Sequence, residues 1–126
     1  MSHVEYDLKV LFIDDEPLLL DLLKRIINNI DPKMHIEVLS DPTKAIELVL
    51  KNNYDCIVLD QKMPGVSGKD IIKMIKQVRD IPCIIYTGFD VSEVTSDADV
   101  VMQKILNANF YPELINTIRQ TVRTFA

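Results

Sequence analysis

Apolar runs of strand length alternate with segments of helical period along the chain, and this alternation constrains the fold more than any other feature. The runs are residues 9–14, 35–39, 54–60, 81–87 and 100–104. Most are apolar along nearly their full length, as strands are when helices cover both faces of a parallel sheet. The pattern predicts an α/β domain with a five-stranded parallel sheet and right-handed crossovers.

The intervening segments carry apolar residues at three- and four-residue steps, which predicts amphipathic helices. Pro17 and Pro112 suit the first turn of a helix, and Asp41-Pro42 is a cap followed by a first-turn proline. A loop is predicted over residues 61–68. The predicted helical stripes are Leu19, Leu22, Leu23, Ile26 and Ile30, then Ala45, Ile46, Val49 and Leu50, then Ile71, Ile72, Ile75 and Val78, and last Ile115, Ile118, Val122 and Phe125.

Length and composition favour one ordinary domain, predicted over residues 1–126 with a core of about residues 8–125. A formal net charge of -5 argues against nucleic acid as a partner. The sequence has neither an apolar stretch of membrane-spanning length nor a signal peptide, so we expect no membrane contact and a cytoplasmic location. Cys56 and Cys83 lie inside apolar runs and are interpreted as reduced core thiols.

Polar side chains stand where the predicted strands end. Asp14, Asp15, Asp60, Thr87 and Lys104 occupy these positions, and the carboxyl ends of parallel strands form one edge where ligands gather. Two unit charges about 4 Å apart repel by roughly 4 kcal/mol at an effective dielectric near 20, so three carboxylates resist sharing a crevice. Mg²⁺ and an ammonium group relieve that repulsion. The set suits a phosphoryl group carried on a carboxylate.

Each of these residues also has a simpler structural interpretation. Asp14-Asp15 is a common start for a helix, because carboxylates favour the helix N-terminus. Asp60 could belong to a turn, Thr87 could simply end a strand, and Lys104 could be a solvated surface lysine. The joint pattern favours the functional reading, because each residue falls at the end of its own strand.

These residues also carry a family resemblance. The chain closely resembles the receiver domain of bacterial and archaeal response regulators from about Lys9 to about Phe125. The resemblance implies a flavodoxin-like doubly wound sheet with strand order 2-1-3-4-5. The motifs that carry it are Asp14-Asp15 with Glu16-Pro17, the run Asp60-Gln61-Lys62-Met63-Pro64-Gly65 with Gly68, Thr87-Gly88, and Lys104.

The resemblance also implies roles for the individual residues. Asp60 matches the phosphoacceptor, Asp15 a direct Mg²⁺ ligand, and Asp14 an acid that acts mainly through water. Lys62 matches the position whose backbone carbonyl completes the metal shell. The phosphoryl donor would be a histidine kinase or a histidine phosphotransfer protein.

Two further positions complete the implied site. Thr87 matches the hydroxyl that turns toward the phosphoryl group. Lys104 matches the lysine that pairs first with the acceptor and then with the phosphoryl oxygens.

Four features depart from the family pattern, and all lie on the usual output and dimerisation side. The segment from Thr87 to Lys104 is about five residues shorter than usual, so residues 90–99 should form one helical turn or an irregular loop instead of a fourth helix. Ile105 replaces the usual proline, which predicts a trans bond after Lys104. Val101 stands where an aromatic ring is usual, and residues 105–111 form a longer stretch than usual before the last helix.

Three classes of function remain in play. The leading hypothesis is a binding module that catalyses its own phosphorylation and slow dephosphorylation, with phosphorylation shifting a two-state equilibrium. A metal-dependent phosphohydrolase would need an acid or base beside Asp60, where Gln61 and Lys62 stand instead. A phosphate-independent interaction domain is the third alternative, and it is suggested by the altered output side.

Overall fold

Strands and helices alternate as the apolar periodicity predicts. The computed structural model describes residues 5–88, 97–105 and 107–125. Its strands are β1 (Leu8–Ile13), β2 (Met34–Leu39), β3 (Cys56–Asp60), β4 (Lys62–Met63), β5 (Val66–Ser67), β6 (Cys83–Thr87) and β7 (Val100–Gln103). Its α-helices are α1 (Pro17–Ile30), α2 (Ala45–Lys51), α3 (Gly68–Val78) and α4 (Phe110–Phe125), with a 3₁₀ turn at Pro42–Lys44.

The five long strands form one parallel sheet in the order β2-β1-β3-β6-β7. Because β4 and β5 form a separate small hairpin, this order is the predicted 2-1-3-4-5. β3 lies at the centre, flanked by β1 and β6, and Asp60 at its end is in register with Tyr86. The central strand therefore delivers Asp60 to the middle of the carboxyl edge.

Helices cover both faces of the sheet, as the right-handed crossovers require. On one face α1 and α4 pack over side chains such as Phe12 and Val58, and on the other α2 and α3 pack over Leu11 and Ile57. The two buried cysteines are free and lie on opposite faces of the sheet, Cys56 on the face that α1 and α4 cover and Cys83 on the face that α2 and α3 cover. That placement fits reduced core thiols.

The predicted inner stripe of α1 is wrong in part. The buried residues of α1 are Leu20, Leu23 and Ile27, whereas Leu22 and Ile30 are about half exposed. The helix is apolar around most of its circumference, so two stripes of helical period exist and the sequence cannot tell which one faces the sheet. The unburied stripe becomes a surface feature of the molecule.

The other helices show smaller differences at their ends. Leu50 in α2 and Val78 in α3 were predicted to face the core but are exposed, and each lies in the last turn of its helix. The last helix begins at Phe110, so Pro112 is inside its first turn, where its missing N–H costs nothing. Asp41 caps the 3₁₀ turn as predicted, accepting a hydrogen bond from the Thr43 N–H.

The predicted loop over residues 61–68 contains the β4–β5 hairpin. Met63 pairs with Val66, and Pro64-Gly65 forms the turn between them. Gly65 has a φ of 78°, a backbone conformation that glycine adopts without steric cost. The predicted departure at residues 90–99 lies mostly outside the described residues, and the described part, residues 97–99, contains no helix. Within the described ranges, no helix has the length and apolarity that a membrane span needs.

Candidate functional site

The structure brings the predicted polar residues to one edge of the sheet. Asp14 and Asp15 directly follow β1, Asp60 ends β3, Thr87 ends β6, and Lys104 directly follows β7. Because these strands are parallel, their carboxyl ends lie side by side, and the residues that follow them share one crevice.

Three carboxylates form the centre of this crevice. Oxygens of Asp14, Asp15 and Asp60 all lie within 4.8 Å of one another. Asp14 is fully buried, whereas Asp15 and Asp60 are partly exposed and open the cluster to solvent. Carboxylate oxygens at this spacing repel one another strongly and match the hard oxygen ligands that Mg²⁺ prefers.

Lys104 supplies the positive charge of the cluster. Its Nζ lies 3.4 Å from Asp14 Oδ2 and 4.0 Å from Asp60 Oδ2, and its side chain is 15% exposed. Its backbone N–H donates a hydrogen bond of 2.7 Å to the carbonyl of Thr87, which ties the end of β7 to the end of β6. The bond between Lys104 and Ile105 is trans, as predicted, since the described residues contain no cis peptide.

Several groups act on the pKa of the Asp60 carboxyl group. Burial raises the pKa above its ordinary value, the Lys104 ammonium opposes that rise, and Asp14 adds to it. Backbone hydrogen bonds from Lys62 and Gln61 lower the pKa. The carboxylate therefore sits where an added positive charge would be favourable.

The segment after Asp60 folds back against it. The Gly68 N–H donates to the carbonyl of Gln61 at 2.8 Å, and the Gln61 side-chain carbonyl accepts from the Lys69 N–H at 3.0 Å. A side chain on Gly68 would collide with the carbonyl oxygen of Asp60, so only glycine fits there. Lys62 is the first residue of β4, and the metal-binding role of its carbonyl stays a prediction.

Sequence reasoning missed one residue of this site, Tyr86. Its hydroxyl donates a hydrogen bond of 2.7 Å to Asp14 Oδ2, and Lys104 Nζ lies 4.8 Å from the centre of its ring. Burial raises the pKa of this hydroxyl, and Asp14 raises it further, so the group stays protonated and donates. A signal existed, because a tyrosine inside a buried aliphatic strand needs a partner for its hydroxyl.

The sequence matches the family described as "Response regulator receiver domain" over residues 10–118. The chain belongs to the response regulator receiver domain family. The match covers every strand end of the site, from Asp14 to Lys104. The fold of the receiver domain, with four α-helices among the described residues and strand order β2-β1-β3-β6-β7, agrees with this membership.

Solved receiver structures superpose closely on this receiver domain. The receiver domain of the Francisella response regulator 1452 is 27% identical, with a TM-score of 0.81 over 95% of this chain and 100% of that one. The response regulator TrrA from Thermotoga maritima, solved in complex with Mg²⁺-BeF, is 28% identical, with a TM-score of 0.77 over 90% of this chain and 97% of that one. TrrA in a complex with the histidine kinase ThkA is also similar, at 25% identity with a TM-score of 0.74.

Curated relatives are longer proteins. The protein-glutamate methylesterase/protein-glutamine glutaminase 1 of Burkholderia pseudomallei is 33% identical over 89 residues, which are 70% of this chain and 24% of that protein. The receiver domain thus spans about a quarter of the length of the curated relatives that it matches.

Proposed function

We propose that this receiver domain accepts a phosphoryl group on the Asp60 carboxylate in a Mg²⁺-dependent reaction with a phosphohistidine donor. The observation that carries the proposal is the cluster of three carboxylates within 4.8 Å, faced by the ammonium of Lys104. A group of this composition has excess negative charge and an acceptor oxygen open to solvent.

The donor set fits Mg²⁺. This ion binds through one or two carboxylates and keeps several waters, and phosphate oxygens can replace some of those waters. Asp15 and Asp60 are the partly exposed members that would hold it, with the Lys62 carbonyl beside them, and the buried Asp14 would act on it through water. When bound, the ion supplies positive charge that offsets the phosphoryl and carboxylate oxygens.

The transfer itself forms one bond and breaks one. A carboxylate oxygen of Asp60 attacks the phosphorus of the donor phosphohistidine, a P–O bond forms as the P–N bond breaks, and the electron pair returns to the imidazole nitrogen. Lys104, already 4.0 Å from Asp60 Oδ2, pairs with the phosphoryl oxygens as their charge appears. Thr87, buried at the end of the neighbouring strand, would contribute its hydroxyl.

The proposal includes one phosphorylation per chain rather than repeated turnover of phosphate esters. A phosphohydrolase needs an acid or base beside the nucleophile, and the two residues after Asp60 are Gln61 and Lys62. The Gln61 side-chain carbonyl already accepts a hydrogen bond from the Lys69 N–H at the start of α3. Return of the phosphoryl group to water would accordingly be slow and self-catalysed.

Leu22, Ile26 and Ile30 form the outer stripe of α1, which is proposed as the surface that meets the donor protein. Leu22 and Ile30 on this stripe are about half exposed, and with Tyr111 of α4 they border an apolar cleft of about 460 Å³. The helix begins at Pro17, two residues after Asp15, so its first turn stands beside the site. The TrrA–ThkA complex supports a histidine kinase as the class of partner.

The proposal is tested by phosphorylating the chain with acetyl phosphate in the presence and absence of Mg²⁺. Intact-protein mass spectrometry should find one added phosphoryl group with Mg²⁺ and none in Asp60→Asn. Asp80→Asn is the matched control. Asp80 is an exposed aspartate just before the amino end of β6, whereas the site lies at the carboxyl ends of the strands. Labelling that persists in Asp60→Asn would refute the assignment.

A binding measurement separates the remaining alternatives. Beryllofluoride with Mg²⁺ should shift the amide NMR signals of Asp15, Asp60 and Thr87. Spectra that change neither with Mg²⁺ alone nor with Mg²⁺ and beryllofluoride would favour a phosphate-independent interaction domain. Sustained hydrolysis of a phosphate ester would favour a phosphohydrolase.

A further inference from the structure

Tyr86 is an aromatic residue in a strand whose other members are Cys83, Ile84, Ile85 and Thr87. It is fully buried on the face of the sheet that α1 and α4 cover. Since β3 separates β6 from β1, the side chain must reach past the central strand, across two strand spacings of roughly 4.8 Å each, to meet Asp14.

The hydroxyl of Tyr86 holds one oxygen of a fully buried carboxylate. It donates to Asp14 Oδ2 at 2.7 Å, while Asp14 Oδ1 accepts from the Glu16 N–H at 3.1 Å. With both oxygens bonded from fixed directions, the Asp14 carboxylate cannot rotate without breaking a short hydrogen bond in a buried setting.

The ring of Tyr86 supports the ammonium of Lys104 on a second side. Lys104 Nζ lies 4.8 Å from the ring centroid, within the range of a cation–π contact, and shares Asp14 Oδ2 with the Tyr86 hydroxyl. Because the hydroxyl already offsets part of the charge on Oδ2, Asp14 attracts the ammonium less strongly and Asp60 keeps its share of it.

We propose that Tyr86 is a positioning residue for phosphoryl transfer, which fixes Asp14 through its hydroxyl and holds Lys104 between Asp14 and Asp60. The proposal rests on Asp60 being the phosphoacceptor. Without the hydroxyl, Lys104 moves onto Asp14 and away from the oxygen that receives the phosphoryl group. Asp60 then loses part of its positive neighbour, which favours Mg²⁺ binding but slows the transfer.

The test is Tyr86→Phe, which keeps the ring and removes the hydroxyl. The maximal rate of phosphorylation by acetyl phosphate at saturating Mg²⁺ should fall about tenfold, as expected from losing a hydrogen bond to a charged group. The dissociation constant for Mg²⁺, measured by titrating the amide NMR signals without a phosphodonor, should stay the same or decrease. A purely structural role would weaken metal binding and rate together.

Tyr54→Phe is the matched control. Tyr54 is also buried and also donates to a carboxylate, Glu37 Oε1 at 3.3 Å, but it lies under the opposite face of the sheet. This variant should also lose a tyrosine–carboxylate hydrogen bond, though a longer one, and its phosphorylation rate and Mg²⁺ affinity should match the wild type. A slower rate in Tyr54→Phe equal to that in Tyr86→Phe would overturn the proposal.

A double-mutant cycle shows whether Tyr86 acts through Lys104. In a Lys104→Met background, Tyr86→Phe should change the phosphorylation rate by less than about twofold, because the group that it positions is gone. An undiminished tenfold effect in that background overturns the positioning role. If the wild type takes no phosphoryl group at all, the proposed function fails instead, so the two failures are distinguishable.

Discussion

At the scale of single residues, the strand ends were predictable and their cross-connections were not. Asp14, Asp60 and Lys104 each follow an apolar run that the sequence displays, and parallel strands place their ends together. Tyr86 was missed because nothing local shows that its side chain crosses β3 to reach Asp14. That contact depends on tertiary packing between residues 72 positions apart.

The need for glycine at position 68 also depends on packing, because the backbone of Asp60 lies against it. A methyl group at Gly68 would collide with the backbone carbonyl of Asp60, so Gly68→Ala must displace Asp60 or the start of α3. We expect the free energy of unfolding to fall by roughly 1–3 kcal/mol, as for overpacked buried sites. The rate of labelling by acetyl phosphate, corrected for the folded fraction from urea titrations, should also fall.

Gly65→Ala separates the collision from a general effect of replacing glycine. Gly65 has a φ of 78° but open space around its Cβ position, so alanine there costs about 1–2 kcal/mol through backbone strain alone. Its corrected labelling rate should match the wild type. Equal labelling rates in the two variants would show that Gly68 does not shape the site.

At the scale of elements, the sequence predicted which segments are helices better than which side of each helix is buried. Leu20, Leu23 and Ile27 face the sheet in α1, although a second row of the same residue types, Leu22, Ile26 and Ile30, also recurs at helical steps. Both stripes satisfy the helical period, and packing against α4 and the sheet selects one. The β4–β5 hairpin was missed because its strands have only two residues each and lack a measurable period.

Arg119 connects three elements at the end of the molecule opposite the site. Its guanidinium donates to both carboxylate oxygens of Asp31, which caps α1, at 2.8 and 3.0 Å. It also donates to both oxygens of Asp7, just before β1, at 3.1 and 3.0 Å. Such bidentate pairs fix the position of α4 against the start of the sheet.

Arg119→Gln should lower the free energy of unfolding by about 1–2 kcal/mol at neutral pH, the modest loss expected for partly exposed ion pairs. Phosphorylation by acetyl phosphate should be unchanged, because the site lies at the other end of the strands. Urea titration measures the first quantity and mass spectrometry the second. Arg123→Gln, an exposed arginine one turn later in α4, is the control and should leave both unchanged.

The effect of Arg119 should also depend on pH. Hydrogen bonding to Arg119 lowers the pKa of Asp7 below its ordinary value of 3.8. A group with a lowered pKa stabilises the folded state fully above the ordinary value, and this contribution is lost as pH falls through the lowered value. The stability difference between wild type and Arg119→Gln should therefore be constant at neutral pH and shrink below about pH 4. A difference that grows on acidification would contradict this account.

At the scale of the whole molecule, the two ends of the sheet carry different groups of charged residues. The carboxyl ends gather the charged cluster around Asp60, and the amino ends carry the Arg119 contacts that connect the helices. Val101, where the family usually has an aromatic residue, lies partly buried in β7 and packs against the side of the core that α2 and α3 cover. That the altered surface changes the readout stays a prediction. The surface proposed for the donor lies on α1, where Leu22 and Ile30 are about half exposed.

The outer stripe of α1 therefore supports a prediction about two routes of phosphorylation. Under the proposed docking, a histidine-phosphorylated protein buries part of this surface as its phosphoryl group reaches Asp60, whereas acetyl phosphate needs only the crevice. Leu22→Glu places a charge on the stripe, and burying an unpaired charge at an interface is costly. Transfer from a histidine phosphotransfer protein that phosphorylates the wild type should slow at least about tenfold. Labelling by acetyl phosphate should be unaffected.

Leu50→Glu is the matched control, because Leu50 is 51% exposed, close to the 50% of Leu22, but lies on α2 across the sheet. If both variants slow the protein donor equally, the donor does not recognise α1, and general charge repulsion explains the loss.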